Sequence, residues 1–321
     1  MTAVGVRCDA GAAIGVGHLV RCVALAEELR SRGVPVTFLG EVTGSEWAAA
    51  QLRERGLPSV PALREPHRLA AQARELGIDV MVLDSYTLPP GTGAALREAG
   101  MAVLAIVDGD PRGQEADLYL DQNLGAERHP FDGERLAGSA YVLLRDSVRR
   151  CRRTPREGGP PRVLCFFGGT DSAGVAPRWT KALLSTGAPF EATVISPEPF
   201  EAGESVAVVP PTDRLPELMA RADLVVTAAG SAAWELLHLG VPTALTWVAA
   251  NQLTGYEELM AGGLAAGLGP EPGAAAVDTL ARLLTDRELR EEYGSRGRDL
   301  VDGRGRERVA DALLRLRPDP T

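Results

Sequence analysis

VGVRCDAGAAIGVGHLVRCVALAEEL, residues 4–29, decides the fold. Its opening, VGVRCD (4–9), reads as a strand, and Gly15 and Gly17 then mark a glycine-rich loop. After His18, the apolar residues Leu19, Cys22, Val23, Ala26 and Leu29 recur at helical spacing. Gly33 and Pro35 stop that helix, and VTFLG (36–40) reads as the next strand. The unit is strand, glycine loop, helix, strand.

The same alternation continues outward. Short apolar runs at 80–84, 103–108 and 118–121 read as further strands of a first half. RRCRRTPREGGPPR (149–162) is basic, rich in Pro and Gly and without apolar periodicity, so it reads as an interdomain linker. Strands then resume at 163–169, 190–196, 206–210, 224–230 and 242–248, with helices near 174–185, 214–221 and 231–239. Alternating β and α elements imply parallel sheets covered on both faces. The expected α/β architecture is two Rossmann-like parallel-sheet domains facing across a cleft. Their limits are 1–150, a linker at 151–161, and 162–304. The segment 305–321 is expected to form a last helix packing back on the first domain through Val309, Ala312, Leu313 and Leu316.

With 321 residues, 45% of them hydrophobic, the chain is long enough for two cores. A formal net charge of −9 excludes a general nucleic-acid or anionic-membrane surface. It leaves room for a local basic pocket that takes a phosphorylated small molecule. No basic-then-apolar leader opens the sequence, and no run approaches the roughly 18–20 apolar residues of a membrane span. Cys8, Cys22, Cys151 and Cys165 lack CxxC spacing and read as free thiols of a reducing cytosol. The four histidines are scattered. No metal and no cofactor is therefore expected, and the expected location is cytoplasmic.

In open parallel sheets, ligands sit outside the carboxyl ends of the strands. There the first half places Asp9, Gly17 with His18, Asp84–Ser85–Tyr86, and Asp108. A helix amino end favours a neutral imidazole, the form a general base needs. His18 is therefore a candidate base, its other reading being a packing histidine. Arg21, one turn on, either reaches an anion or is a surface cation. GVGHLV lacks the last glycine of a dinucleotide fingerprint. The acidic triplet at 108–110 is too common a pattern to assign a metal.

The second half offers two glycine turns, Gly168–Gly169–Thr170 and Gly230–Ser231–Ala232, each closing an apolar strand. Their amides suit a diphosphate, though an ordinary turn explains them too. A capping box with Ser231 needs its acid at position 234, where Trp234 stands. Glu235, one residue later, is either a ribose ligand or a solvated carboxylate.

These stretches resemble the nucleotide-sugar hydrolases of the pseudaminic-acid pathway, a group that includes spore-coat polysaccharide proteins. RCDAGAAIGVGHLVRCVALAEEL (7–29), LDSY (83–86), DLYLDQNLG (117–125), YVLLR (141–145), FFGGTD (166–171) and the block from 217 to 252 follow that family's order. The resemblance extends to GT-B glycosyltransferases. It implies metal-independent, inverting hydrolysis of a UDP-sugar at its anomeric carbon. By the same resemblance His18 handles the water, Tyr86 and Asn251 act at the reacting centre, Gln252 lies near the sugar, and Glu235 holds the ribose. Asp84–Ser85–Tyr86 stands where the family has Asp-His-Tyr, and Asp108–Gly109 where it often has two aspartates. Those departures leave open the sugar and what accepts it. The alternative to hydrolysis is sugar transfer to a hydroxyl or amine, and a second alternative is a nucleotide-sugar-binding protein without turnover.

Overall fold

The computed structural model describes residues 2–11 and 14–316. They divide into two units. The first runs to Asp146 and takes up the chain again from Gly303; the second is Ser147–Asp302.

The strands of the first unit are, in chain order, β1 (Val4–Cys8), β2 (Ala10–Gly11), β3 (Val36–Leu39), β4 (Val42–Thr43), β5 (Ser59–Val60), β6 (Val80–Asp84), β7 (Ala102–Ile106), β8 (Leu118–Asp121) and β9 (Arg135–Ala137). Seven of them form one parallel sheet in the order β5-β3-β1-β6-β7-β8-β9, while β2 and β4 pair separately. Every residue of β1, β6, β7 and β8 is buried. This is what predominantly apolar runs predict for strands covered on both faces, although Arg7, Asp84 and Asp121 are buried with them. Strand order reverses at the β1/β6 pair, whose register sets Cys8 beside Asp84. Gly40 passes so close to the end of β1 that a Cβ there would lie 1.8 Å from the Cys8 carbonyl oxygen.

The second unit holds β10 (Arg162–Phe166), β11 (Glu191–Ile195), β12 (Val206–Val209), β13 (Leu224–Ala228), β14 (Thr243–Thr246) and β15 (Ala266–Gly267). They form one parallel sheet in the order β12-β11-β10-β13-β14-β15, so the order reverses between β10 and β13. Trp179, fully buried on the Ala176–Ser185 helix, anchors one of its cores.

Two boundaries differ from the sequence reading. The first crossing between units falls at Asp146/Ser147, ahead of 151–161. Much of the stretch read as linker is pinned to the second unit. The Thr154 amide donates to the Ala220 carbonyl, and the Arg156 and Arg162 amides donate to the two oxygens of Asp223. Composition described the segment as a tether, but backbone bonds hold it. The second crossing, at Asp302/Gly303, precedes the closing helix Gly305–Leu313. Val309, Ala310, Ala312 and Leu313 of that helix belong to the first unit's core, with Leu316 packed against it. Residues 317–321 of the expected last segment lie outside the described residues. Among the described residues no helix is long and apolar enough to cross a membrane.

Candidate active site

The loop after β1 is closed at its base by two hydrogen bonds between Gly11 and Gly15, at 3.0 and 2.8 Å. Gly15 has φ +80, which a glycine adopts without penalty. Ala12 and Ala13, at its tip, lie outside the described residues. The helix Gly17–Ser31 starts directly behind, so Gly17 is its first residue and His18 its second.

His18 is not alone there. Its Nδ1 lies 2.5 Å from Oδ1 of Asp84, the last residue of β6. The β1/β6 switch point thus brings together two residues that are 66 apart in sequence. Asp84 is fully buried, and Arg21 forks onto it through Nε at 2.7 Å and Nη2 at 2.6 Å. Cys22 Sγ adds a contact at 3.3 Å. Burial alone would raise this carboxyl, but the Arg21 guanidinium and His18 outweigh it and hold Asp84 well below the usual carboxylate range. An ionised carboxylate can only accept, so Nδ1 carries a proton, and in the neutral imidazole Nε2 is the nitrogen with the free lone pair. Arg21 Nη2 approaches Nδ1 to 3.2 Å, which is then a contact between two donors that share one acceptor. Among the described residues Nε2 has no hydrogen-bond partner. The arrangement is an oriented imidazole backed by a buried anion.

Arg21 corrects the sequence reading. It neither lies on the surface nor stands open to a phosphate. It is 5% exposed and already faces two anions, since its Nη1 also lies 3.5 Å from Asp108. Asp108 in turn accepts from Asn123 Nδ2 at 2.9 Å and from the Tyr86 hydroxyl. Burial would raise Asp108, and Arg21, Tyr86 and Asn123 together bring it below its ordinary value. The acidic triplet therefore serves the imidazole's surroundings. Among the described residues no group of three or more His, Cys, Asp and Glu side chains is arranged to hold a metal. The Tyr86 ring meets His18 edge-on, with centroids 4.5 Å apart at 81°, and the Arg112 guanidinium lies over the same ring, 4.2 Å from its centroid. Asp84 as the imidazole's partner, Asn123 and Arg112 went unassigned in the sequence. The available signals were an aspartate closing β6 and an Asp-Gln-Asn run closing β8.

In the second unit both glycine turns lie at the carboxyl ends of β10 and β13, again at the point where strand order reverses. Gly168 has φ +76. The amides of Gly169, Thr170, Ser231 and Ala232 donate to nothing among the described residues. Ser231 does not cap the Ala232–Leu239 helix through its side chain. The helix after β10 differs. Its first amides are taken by Asp171, which accepts from Val175 and Ala176, both at 3.0 Å. An anion at Gly168–Thr170 would therefore use the loop amides, not that helix end. Glu235 is 4% exposed, beneath the β13 turn. Gln252 Oε1 accepts from the Val248 amide at 2.9 Å, and a Cβ built on Gly230 would lie 3.8 Å from its Nε2. Gln252 thus lies beside the Gly230 turn, while its neighbour Asn251 is exposed on the 3-10 turn Ala250–Gln252. The sequence-assigned residues form two groups: His18 with Tyr86 in the first unit, and the two turns with Glu235, Asn251 and Gln252 in the second.

No family model matches the chain. An uncharacterised protein of Methanocaldococcus jannaschii is 21% identical over 80% of this chain, which spans only 58% of that relative's length. The UDP-N-acetylglucosamine–N-acetylmuramyl-(pentapeptide) pyrophosphoryl-undecaprenol N-acetylglucosamine transferase of Halorhodospira halophila is 30% identical, covering 95% of this chain and 97% of its own. Among solved structures, MurG of Acinetobacter baumannii superposes with a TM-score of 0.71 at 16% identity, covering 98% of this chain and 100% of its own. A spinosyn rhamnosyltransferase complexed with thymidine diphosphate gives 0.65 at 16% identity, over 98% and 99%. The fold is GT-B. None of the three that carry a functional name is a pseudaminic-acid-pathway hydrolase, and the 30%-identical relative is named a transferase. By fold, and by its identity to the Halorhodospira enzyme along nearly its whole length, the chain belongs to the MurG-like family of GT-B glycosyltransferases.

Proposed function

We propose that this protein is an inverting glycosyltransferase that moves a sugar from a nucleoside diphosphate donor to a hydroxyl or amine acceptor. The observation that carries it is the His18–Asp84 pair at 2.5 Å, which leaves Nε2 as a base. Transfer is preferred to hydrolysis because the 30%-identical relative is named a transferase. Uridine is the preferred base, since that relative's name specifies a UDP-sugar.

The chemistry divides between the units. In the first, Nε2 of His18 takes the acceptor's proton as its oxygen or nitrogen attacks the anomeric carbon. The resulting imidazolium is stabilised by the Asp84 carboxylate, as general-base catalysis requires. The bond from the anomeric carbon to the diphosphate oxygen breaks, its electron pair leaves with the nucleotide, and configuration inverts. In the second, the amides of Gly169, Thr170, Ser231 and Ala232 take the diphosphate charge, while Glu235 takes the ribose.

The test is product analysis by mass. The protein is incubated with UDP- and thymidine-diphosphate sugars, each with and without hydroxyl and amine acceptors. Sugar–acceptor products are expected, and His18→Asn should lower kcat about 10²–10⁴-fold while nucleotide affinity holds. Free sugar released as fast without an acceptor would make the protein a hydrolase. Nucleotide binding without turnover would make it a binder. Full turnover by His18→Asn would remove the base assignment.

A further inference from the structure

The second unit carries a cavity of about 270 Å³ that lies away from both glycine turns. It is bounded by Asp223, just ahead of β13, by Gly240, just ahead of β14, and by the stretch 153–156 leading into β10. These are the amino ends of the strands, the edge of the sheet opposite Gly168 and Gly230. The remaining wall is one face of the helix Arg287–Arg298, on which Arg287, Arg290, Glu291, Gly294 and Arg298 recur at spacings of three and four.

The lining is strongly basic. Arg153, Arg156, Arg287, Arg290 and Arg298 face two acids, Asp223 and Glu291, an excess of three positive charges in a chain whose net charge is −9. Two of the five have carboxylate partners: Arg287 with Glu291 at 2.7 Å, and Arg156 with Glu191 at 2.8 Å. Three have none. Arg153 donates only to the Gly240 carbonyl, at 2.9 Å, and Arg290 only to backbone carbonyls at the end of the neighbouring helix, Ala274–Thr285. Arg298 makes no hydrogen bond or ion pair with any described residue. Asp223 offsets them only in part: its charge acts on Arg153 and Arg290, while its oxygens accept the Arg156 and Arg162 amides.

The backbone is shaped to bring these guanidiniums together. Gly240 sits at φ +66, and a Cβ there would lie 2.7 Å from Arg298 Nε. A Cβ on Gly294 would lie 2.5 Å from the Gly240 oxygen. The Gly240 carbonyl that Gly294 approaches so closely is also the one that accepts from Arg153. The carboxyl end of the Ala232–Leu239 helix attracts one cation there, and a cluster exceeds that need. Burial pushes the Arg153 guanidinium down to about 10, with Arg298 and Arg162 adding to the shift against Asp223 and Glu291. Like charges are held close, with Asp223 and Glu291 too few to balance them.

We propose that this cavity binds a phosphate-bearing anion, through Arg153, Arg290 and Arg298, at a site separate from the nucleotide turns. Planar guanidinium forks match phosphate oxygens in pairs. The volume falls just under the usual range for small-molecule pockets, about 300–1,000 Å³, which suits a phosphate or diphosphate group and little else. A soluble phosphate ester and a lipid phosphate headgroup present the same chemistry, and experiment separates them.

The test uses the whole protein with UDP at saturation and pyrophosphate as the calorimetric probe. Wild type is expected to bind pyrophosphate, and Arg298→Gln should weaken it about tenfold. Arg298→Glu should abolish it. Arg298 is exposed and hydrogen-bonds nothing, so both variants should keep wild-type UDP affinity and unfolding temperature. Sedimentation with vesicles of phosphatidic acid or of phosphatidylcholine assigns the source. Arg298-dependent capture by phosphatidic acid vesicles alone identifies a headgroup, and its absence alongside pyrophosphate binding identifies a soluble ligand. No pyrophosphate binding by wild type, or equal binding by wild type and both variants, overturns the proposal.

Discussion

Asp84 carries two burdens: it orients His18 and neutralises Arg21 inside the protein. Its carboxyl titrates below its ordinary value of 3.8 in the folded protein, because Arg21 and His18 overcome the cost of burial. The unfolded chain therefore binds the extra proton first. The pair's contribution to stability is complete above about pH 4 and is lost as pH falls towards the folded value. Asp84→Asn should weaken the acid dependence of the denaturation midpoint below pH 4. At neutral pH it should cost about 3–5 kcal/mol, because Arg21 is left buried with only Asp108, 3.5 Å away, as its anion. An acid slope identical to wild type would show that the carboxyl is not shifted. At this scale the sequence revealed half the constellation. His18 stood out behind its glycine loop, but Asp84 becomes its partner only through the β1/β6 register. Arg21 turned inward for the same reason: the anions it meets come from the ends of β6 and from just beyond β7, which no local pattern of residues 17–31 records.

Strands of four or five mostly apolar residues could be read in advance, and strands of two residues could not. β1, β6, β10 and β13 are predominantly apolar, each with one polar or charged residue among its five. β2, β4, β5 and β15 are two residues each, too short to show any period. The 149–162 stretch misled for a related reason: its order comes from Asp223, a residue of a distant element, not from apolar spacing. The contact between the ends of β1 and β3 gives a prediction for these elements. Gly40→Ala sets a methyl against the Cys8 carbonyl, and its nearest neighbours are backbone atoms and the Asp9 carboxylate, so relief requires the strand ends to part. The expected cost is about 1–3 kcal/mol, with reduced turnover because β1 carries the His18 loop. A thermal midpoint within experimental error of wild type would refute the close approach.

The first unit is assembled from two separated pieces of chain. The closing helix contributes Val309, Ala310 and Leu313 to its core, and Arg306 contacts Asp146, Glu27 and Glu28 at 2.6, 3.3 and 3.2 Å. Each large apolar side chain is worth about 1.5–3 kcal/mol, and a broken buried ion cluster about 3–5. Their sum rivals the roughly 5–15 kcal/mol that holds a domain together. Truncation after Asp302 should therefore leave the first unit sensitive to protease while a fragment beginning near Ser147 survives digestion. A resistant fragment covering residues 2–146 would disprove this. The two-domain α/β plan and the helical pattern of 309–316 were legible from periodicity. The chain's crossing points were not, because they are set by which core each segment joins.

That discontinuity imposes an order on synthesis. Residues 147–302 leave the ribosome as one continuous piece and have all their partners once Asp302 emerges. The amino-terminal piece, made earlier, must wait for Leu313, which follows Asp146 by 313 − 146 = 167 residues. At about 5–20 residues per second that wait is roughly 8–33 s. Throughout it, the face of the Gly17–Ser31 helix that the closing helix will cover stays open to holdase chaperones. The half made first is thus finished last, and a circular permutant starting at Gly303 would reverse that order.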